Sequence, residues 1–268
     1  MEMSRWVDVV VADFNYYFDG NALLLGLTKE FDWRPCLLID ESHNLLDRGR
    51  QMYSASLSRS QLLGAKQNAP KSLHKIMDKI NRLWRELNKT LDFNTEQLCL
   101  LPSSPEKINL ALLEFTNQYL ELLQKQPDHP IQHTVAQEFF FAALDYLAKL
   151  ELVDYDYCID MQQPAEKDEY LNLRNLIPAR LLAQRLASAH CACFFSATLQ
   201  PAYFYHTLLG LPDDAVHLQV DSPFNADQLQ VHIAQLSTRY RDRLRAIDPI
   251  CAIVREQLAT QPGNALIF

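Results

Sequence analysis

"CLLIDESHNLLDRGR", Cys36 to Arg50, is the stretch that decides how the rest of the chain is read. The apolar run Leu37-Leu38-Ile39 stops on two adjacent carboxylates, Asp40 and Glu41, and Ser42, His43 and Asn44 follow at once. A short continuous apolar run with turn chemistry after it reads as a strand buried on both faces, the kind found in parallel sheets. In open α/β sheets, ligands bind just outside the carboxyl ends of the strands. Neighbouring residues on a strand end point opposite ways, so the two acids can take different jobs. One holds a metal, directly or through water; the other takes a proton from an attacking water. The alternative is a strand that simply ends in solvent. Asp-Glu by itself does not separate the two readings; its companions do.

The totals bound the answer. A length of 268 residues suits one large domain or two, and 48% hydrophobic content is ample for a core. A net charge of −8 excludes a histone-like polycation. It does not exclude nucleic acid, because a local basic face can do the electrostatic work. No apolar run reaches the length of about 18 residues that a membrane helix needs. The start, "MEMSRWVDVVV", carries an early acid and no small-residue cleavage site, so no signal peptide is expected. Six cysteines stand at 36, 99, 158, 191, 193 and 251, with no C-x-x-C, and "CAC" at 191–193 lies in an apolar run. Buried thiols in a reducing compartment, the cytoplasm, are the expectation. Glycine is scarce, only 6 residues, and no G-x-x-x-x-G-K-[ST] phosphate loop occurs.

Further strands are expected at "WVDVVVADF" (6–14), "HCACFFSAT" (190–198), "AVHLQV" (215–220), "LQVHIAQL" (229–236) and "NALIF" (264–268). Helices are expected between several of them, at 176–189 and 249–261. Alternating strands and helices predict an α/β fold with a mainly parallel sheet. From about 59 to 165 strand signals vanish. Leu73, Ile76, Ile80, Leu83 and Leu87 recur at spacings of three and four, as do Ile108, Leu112, Phe115, Tyr119 and Leu122. A third helix follows through "VAQEFFFAALDYLAKLELV". The pattern predicts an all-helical insertion, packed as a small bundle, inside the α/β domain.

The first of these helices has a second face. Lys71, Lys75, Lys79 and Arg82 follow the same spacing, and 71–89 holds six basic residues against two acids, a local +4. Two readings stand: a solvated helix face, or a surface that contacts a phosphate backbone. Trp84 and Tyr119 likewise suit either a core or a stacking platform.

Four stretches then line up in order: "DVVVADFNYYF", "LLIDESHNLLDR", the insertion and "FFSATLQPAYFYHTLLGLP", with "DSPF", "STRYRDR" and "GNALIF" behind them. This order resembles the XPD-like branch of superfamily two DNA helicases, the branch that also holds bacterial DinG, and looks most like its bacterial members. The resemblance implies an ATP-dependent DNA helicase that moves 5′ to 3′ on single-stranded DNA in repair or replication. It implies that Asp40 holds the Mg²⁺ of bound ATP, as the first acid of a DEAH-type box. It implies that Glu41 orients and deprotonates the attacking water, and that His43 links the ATP site to the rest of the motor. Ser196, Ala197 and Thr198 would form motif III, which couples nucleotide state to the DNA groove. The insertion would be the Arch domain.

The implied layout is a first motor domain at 1–58 and 166–222, the Arch-like insertion at 59–165, and the start of a second motor domain at 223–268. The family's phosphate loop and its four iron–sulfur cysteines lie upstream of "DVVVADF", and none of the six cysteines here matches them in position or spacing. A 4Fe-4S cluster is therefore expected only in a longer parent, and the chain reads as a piece of it, inactive alone. The family usually has Ala where Ser42 stands. The rival reading is a non-catalytic helical module that binds DNA or protein partners.

Overall fold

The computed structural model describes residues 2–20, 22–94, 97–125, 134–163, 168–225, 231, 233–237, 239–260, 263 and 266. The chain divides into two compact units, Met1–His217 and Leu218–Phe268. In the first, helices α1 (Asn15–Phe18) and α2 (Leu23–Glu30) precede strand β1 (Cys36–Ile39), helix α3 (Asn44–Tyr53) and strand β2 (Ala55–Ser58). Helices α4 (Arg59–Asn68) and α5 (Lys71–Asn88), strand β3 (Leu98–Leu100), and helices α6 (Glu106–Lys125) and α7 (Val135–Leu150) follow. Then come β4 (Tyr157–Gln162), β5 (Tyr170–Asn175), α8 (Ala179–Leu186), β6 (Cys191–Phe194) and α9 (Ala202–Leu208). The second unit carries a 3-10 turn at Tyr240–Asp242 and helix α10 (Arg243–Thr260), the helix expected near 249–261.

Two sheets organise the first unit. β1 and β6 pair in parallel, Cys36 opposite Cys191 and Ile39 opposite Phe194. Their covered face joins a core of Phe18, Leu25, Ile39, Leu45, Tyr53 and Leu182. Burying each such side chain is worth roughly 1.5–3 kcal/mol. Tyr53 satisfies its hydroxyl by donating to the Phe18 carbonyl at 2.6 Å, and burial pushes that phenol up to about 12. Gly49 lets α3 approach the next segment closely: a Cβ there would lie 3.0 Å from Pro178.

The second sheet has four strands in the order β2-β5-β4-β3, every pair antiparallel. Helices α4 to α7 pack with it around Leu57, Ile80, Trp84, Phe115, Phe139 and Met161. This core takes in β2 and β5, which flank the expected limits of the insertion at 58 and 166. Leu73, Ile76 and Ile80 face inward as their spacing requires, with Leu83 and Leu87 half-buried. Trp84 and Tyr119 are fully buried, and Tyr119 stacks on Phe140 with centroids 4.1 Å apart. Both are core residues.

The α/β class with a parallel sheet is what the structure shows, and it corrects four details. The insertion is not all-helical, because β3 and β4 lie within it. β4 was hidden by Asp160, a residue depleted in strands. Here that carboxylate is fully buried, paired with Arg174 and accepting from Asn172 Nδ2 at 2.8 Å. Second, β1 is buried on one face only, and Leu38 stands 77% exposed. Third, Cys36, Cys191, Cys193 and Cys251 are exposed, not buried; the first three lie on the β1–β6 pair, whose second face is uncovered among the described residues. Fourth, 6–14 and 215–220 form no strand. A β-branched run needs a partner edge, and β1 pairs with β6 alone among the described residues. The expected strand at 229–236 lies partly outside the described residues, and its described part forms no strand. The expected "NALIF" strand lies outside them apart from Leu266.

At the neck of the insertion, Asp168 ties the start of α4 to the approach to β5. It accepts from the Ser58 and Ser60 hydroxyls and from the Ser60 and Glu169 amides. Burial by itself would raise this carboxyl. The Ser60 and Ser58 hydroxyls and the two amides outweigh that and bring it down to about 2.

No helix of the described residues is long and apolar enough to cross a membrane.

Candidate functional site

The site is built where the two parallel strands end. After Ile39 the chain turns sharply: Glu41 has φ 44°, in the left-handed region that side chains seldom adopt. The turn places Ser42 under the exit of β6, where its amide and its hydroxyl both donate to the Phe195 carbonyl, at 3.2 and 3.1 Å. The Phe195 amide donates back to Ile39 O at 3.0 Å. These three bonds fix the two strand exits against each other. Ser42 itself is fully buried.

Three side chains converge above this staple. His43 Nδ1 is 2.7 Å from Ser196 Oγ and 3.3 Å from Glu41 Oε2. Ser196 Oγ donates to Glu41 Oε2 at 3.3 Å and accepts from the Thr198 amide at 3.3 Å. With its one proton directed to Glu41, Ser196 accepts from His43, which assigns the Nδ1–H tautomer. His43 is in the N-cap position of α3, but its side chain makes no capping bond; the ring goes to Ser196 instead. Glu41 remains 60% exposed, so its carboxylate is both held and open to approach. Asp40 is exposed; its Oδ1 accepts from the Glu41 amide at 2.8 Å. Ala197 is exposed and contributes only spacing.

Glu41, His43, Ser196 and Thr198 thus meet, with Asp40 one residue away. Nothing in the sequence pointed to the two bonds from Ser42 to Phe195 O.

Lys71, Lys75, Lys79 and Arg82 lie exposed along α5. Lys79 Nζ pairs with Glu114 at 2.7 Å and Arg82 Nε with Glu86 at 3.8 Å, while Lys71 and Lys75 have no ion pair among the described residues. Half of the stripe is therefore neutralised locally, by exposed pairs worth about 0–1 kcal/mol each.

For a resident metal or cofactor the donor sets differ. Asp40 offers one carboxylate oxygen free of protein partners among the described residues, which suits Mg²⁺, an ion that takes one or two carboxylates together with nucleotide phosphates. Among the described residues no three His, Cys, Asp or Glu are placed to hold a metal by themselves. The cysteines do not fit a 4Fe-4S cluster, which needs four thiolates at one point.

No protein-family description matches the chain, and no curated protein matches it. Solved structures do. One described as "XPD_Helicase" superposes with a TM-score of 0.50 at 18% sequence identity, covering 78% of this chain and 35% of that one. Another, "Truncated XPD", gives 0.48 at 16% identity, covering 77% of this chain and 56% of that one. The chain spans about a third of the length of the first and just over half of the second. A likeness at such identity speaks for the fold: this chain has the fold of the matched part of an XPD helicase structure, a parallel strand pair set among many helices.

Proposed function

We propose that the chain is a part of an ATP-driven DNA helicase motor that holds the acids of its DEAH-type box and motif III. The observation that carries this is the meeting of Glu41, His43 and Ser196 at neighbouring strand ends, within 2.7–3.3 Å. Glu41 is the base that orients and deprotonates the attacking water. Asp40 is the residue that would hold Mg²⁺. ATP and Mg²⁺, when bound, supply the phosphoryl group and the charge that offsets it. Ser196, bonded to both Glu41 and His43, senses the state of the base. Thr198, whose amide bonds to Ser196, passes that state toward the DNA-binding surface. Positioning and electrostatics are what such a reaction asks of a protein.

In this reading 1–58 and 166–222 belong to the first motor domain, 59–165 to an Arch-like insertion that includes β3 and β4, and 223–268 to the start of a second motor domain. The partner is single-stranded DNA, travelled 5′ to 3′, in repair or replication in the cytoplasm. Lys71, Lys75, Lys79 and Arg82 contribute to its electrostatic surface.

The sequence holds no phosphate loop, so the purified chain alone is expected to show background ATPase activity with or without DNA. Supplying a polypeptide that carries a phosphate loop, in cis or in trans, should give single-strand-stimulated hydrolysis, and Glu41→Gln should abolish it. Stimulated hydrolysis that survives Glu41→Gln contradicts the reading. The rival is a binding module without turnover, which predicts DNA binding with no hydrolysis in either arrangement.

A further inference from the structure

We infer that the cleft between the start of α4, the last turn of α5 and the lead into β5 is a phosphodiester-binding site for single-stranded nucleic acid. The inference deepens the DNA reading above and rests on it. It moves the main contact away from the Lys71–Arg82 stripe to the opposite end of the same helix.

The cleft holds about 230 Å³ and is lined by Arg59, Arg85, Asn88, Lys89 and Glu169. Three cations face one carboxylate, a local excess of two positive charges on a chain of net −8. The cations are not equivalent. Arg59 is a fixed wall: its Nε donates to Asn81 Oδ1 at 2.9 Å, its Nη1 to Glu169 Oε1 at 2.8 Å, and its backbone amide to Glu169 O at 2.9 Å. Arg85 in the last turn of α5 and Lys89, its C-cap residue, stand four residues apart, exposed, with no ion pair among the described residues. Lys79 and Arg82, by contrast, already have carboxylate partners. Lys71 and Lys75 lie at the other end of the helix and do not line the cleft. Cations gathered around one shallow, open hollow add their fields at a single place, which cations spread along a convex helix do not. The guanidinium fork of Arg85 matches two phosphate oxygens, and the Lys89 ammonium supplies a point charge beside it.

Besides the Glu169 carboxylate, whose Oε2 is buried without a hydrogen-bond partner among the described residues, as is Asn88 Oδ1, two local charges oppose an anion. The C-terminal end of α5 carries about half a negative charge, less than the excess of two. Asp168, next to Glu169, directs its oxygens to Ser58, Ser60 and the Glu169 amide, and does not line the cleft. Among the described residues no aromatic lines it either, so the site should read the backbone without base stacking and be indifferent to sequence. A charged channel that tracks the backbone is one element of sequence-neutral single-strand binding.

The test is a fluorescence-anisotropy titration of the whole chain with a labelled oligothymidylate over a salt series. Arg85→Ala/Lys89→Ala should weaken binding and flatten the log–log salt slope by about 1.4, two contacts at about 0.7 each. The melting temperature should not move, and an oligodeoxyadenylate should behave alike. Lys71→Ala/Lys75→Ala, at the far end of α5, should have the smaller effect on both affinity and slope. If the Arg85/Lys89 pair changes nothing while the Lys71/Lys75 pair weakens binding, the cleft is overturned and the DNA reading stands. If the unmodified chain does not bind the oligonucleotide, the DNA reading falls with it. If polyglutamate of matched length binds the cleft as tightly as DNA, the site belongs to acidic peptides and the inference is wrong.

Discussion

Two apolar sheets in this chain are packed in opposite ways. In the four-stranded sheet, Leu57, Met161, Leu171 and Leu173 are all fully buried, in one core with Trp84, Phe115 and Phe139. In the β1–β6 pair, Ile39 is buried while Leu38, its neighbour by one residue, is 77% exposed. Hydrophobic sequence makes both into strands; neighbours alone decide whether a strand's second face is covered. The difference also suits the roles proposed. The four-stranded sheet and helices α4 to α7 share one core, and their outer surface can present fixed charges. The strand pair carries the reactive groups at its exits and leaves Glu41 open to approach.

The widest test of that contrast is stability. Phe115→Ala removes a ring packed against Tyr119 and Phe139 and should cost about 3–5 kcal/mol in denaturant unfolding. Leu38→Ser, on the uncovered face, should change stability by no more than about 0.5 kcal/mol. Comparable losses from the two would break the comparison.

Acid comes next. Asp168 titrates at about 2 in the folded chain against an ordinary value of 3.8. A folded value below the unfolded one means that the stabilisation is present above about pH 4 and is lost as pH falls toward 2. It amounts to at most about 2 kcal/mol. Asp168→Asn should flatten the acid limb of the stability profile between pH 4 and 2. An unchanged limb would show that the neck of the insertion does not depend on this carboxylate.

A smaller effect belongs to Ser42→Ala. It removes the hydroxyl bond to Phe195 O, worth about 1 kcal/mol or less, since the Ser42 amide still donates to the same carbonyl. A loss above about 3 kcal/mol would mean that the strand exits depend on the hydroxyl far more than the geometry indicates.

Much of this was legible in the sequence, for physical reasons. The helices of the insertion announce themselves because Leu73, Ile76 and Ile80 must share one face to be buried together. Asp40, Glu41 and His43 stand out because acids directly after an apolar strand are conspicuous. β4 was not legible: Asp160 makes "YCIDMQ" look polar, and its partners Asn172 and Arg174 lie 12 and 14 residues on. The exposure of Leu38 and Cys36 was hidden too, because composition cannot say which face of a strand is covered. Arg85 and Lys89 were within the counted basic residues, but only the fold shows that they border a cleft and that Lys79 and Arg82 are paired elsewhere.

Glu41 reaches Ser196 because β1 and β6 are parallel neighbours in the stated register. Cys36 and Cys191 report this directly, being exposed and opposite each other. Adjacent strands lie about 4.8 Å apart, within the Cα separation of about 4.4–6.8 Å that a disulfide spans. Mild oxidation followed by peptide mass spectrometry should recover Cys36 joined to Cys191, reversibly with a thiol reductant. Cys36 joined instead to Cys251 or Cys99, with Cys191 still alkylated as a free thiol, would contradict the register and the site built on it.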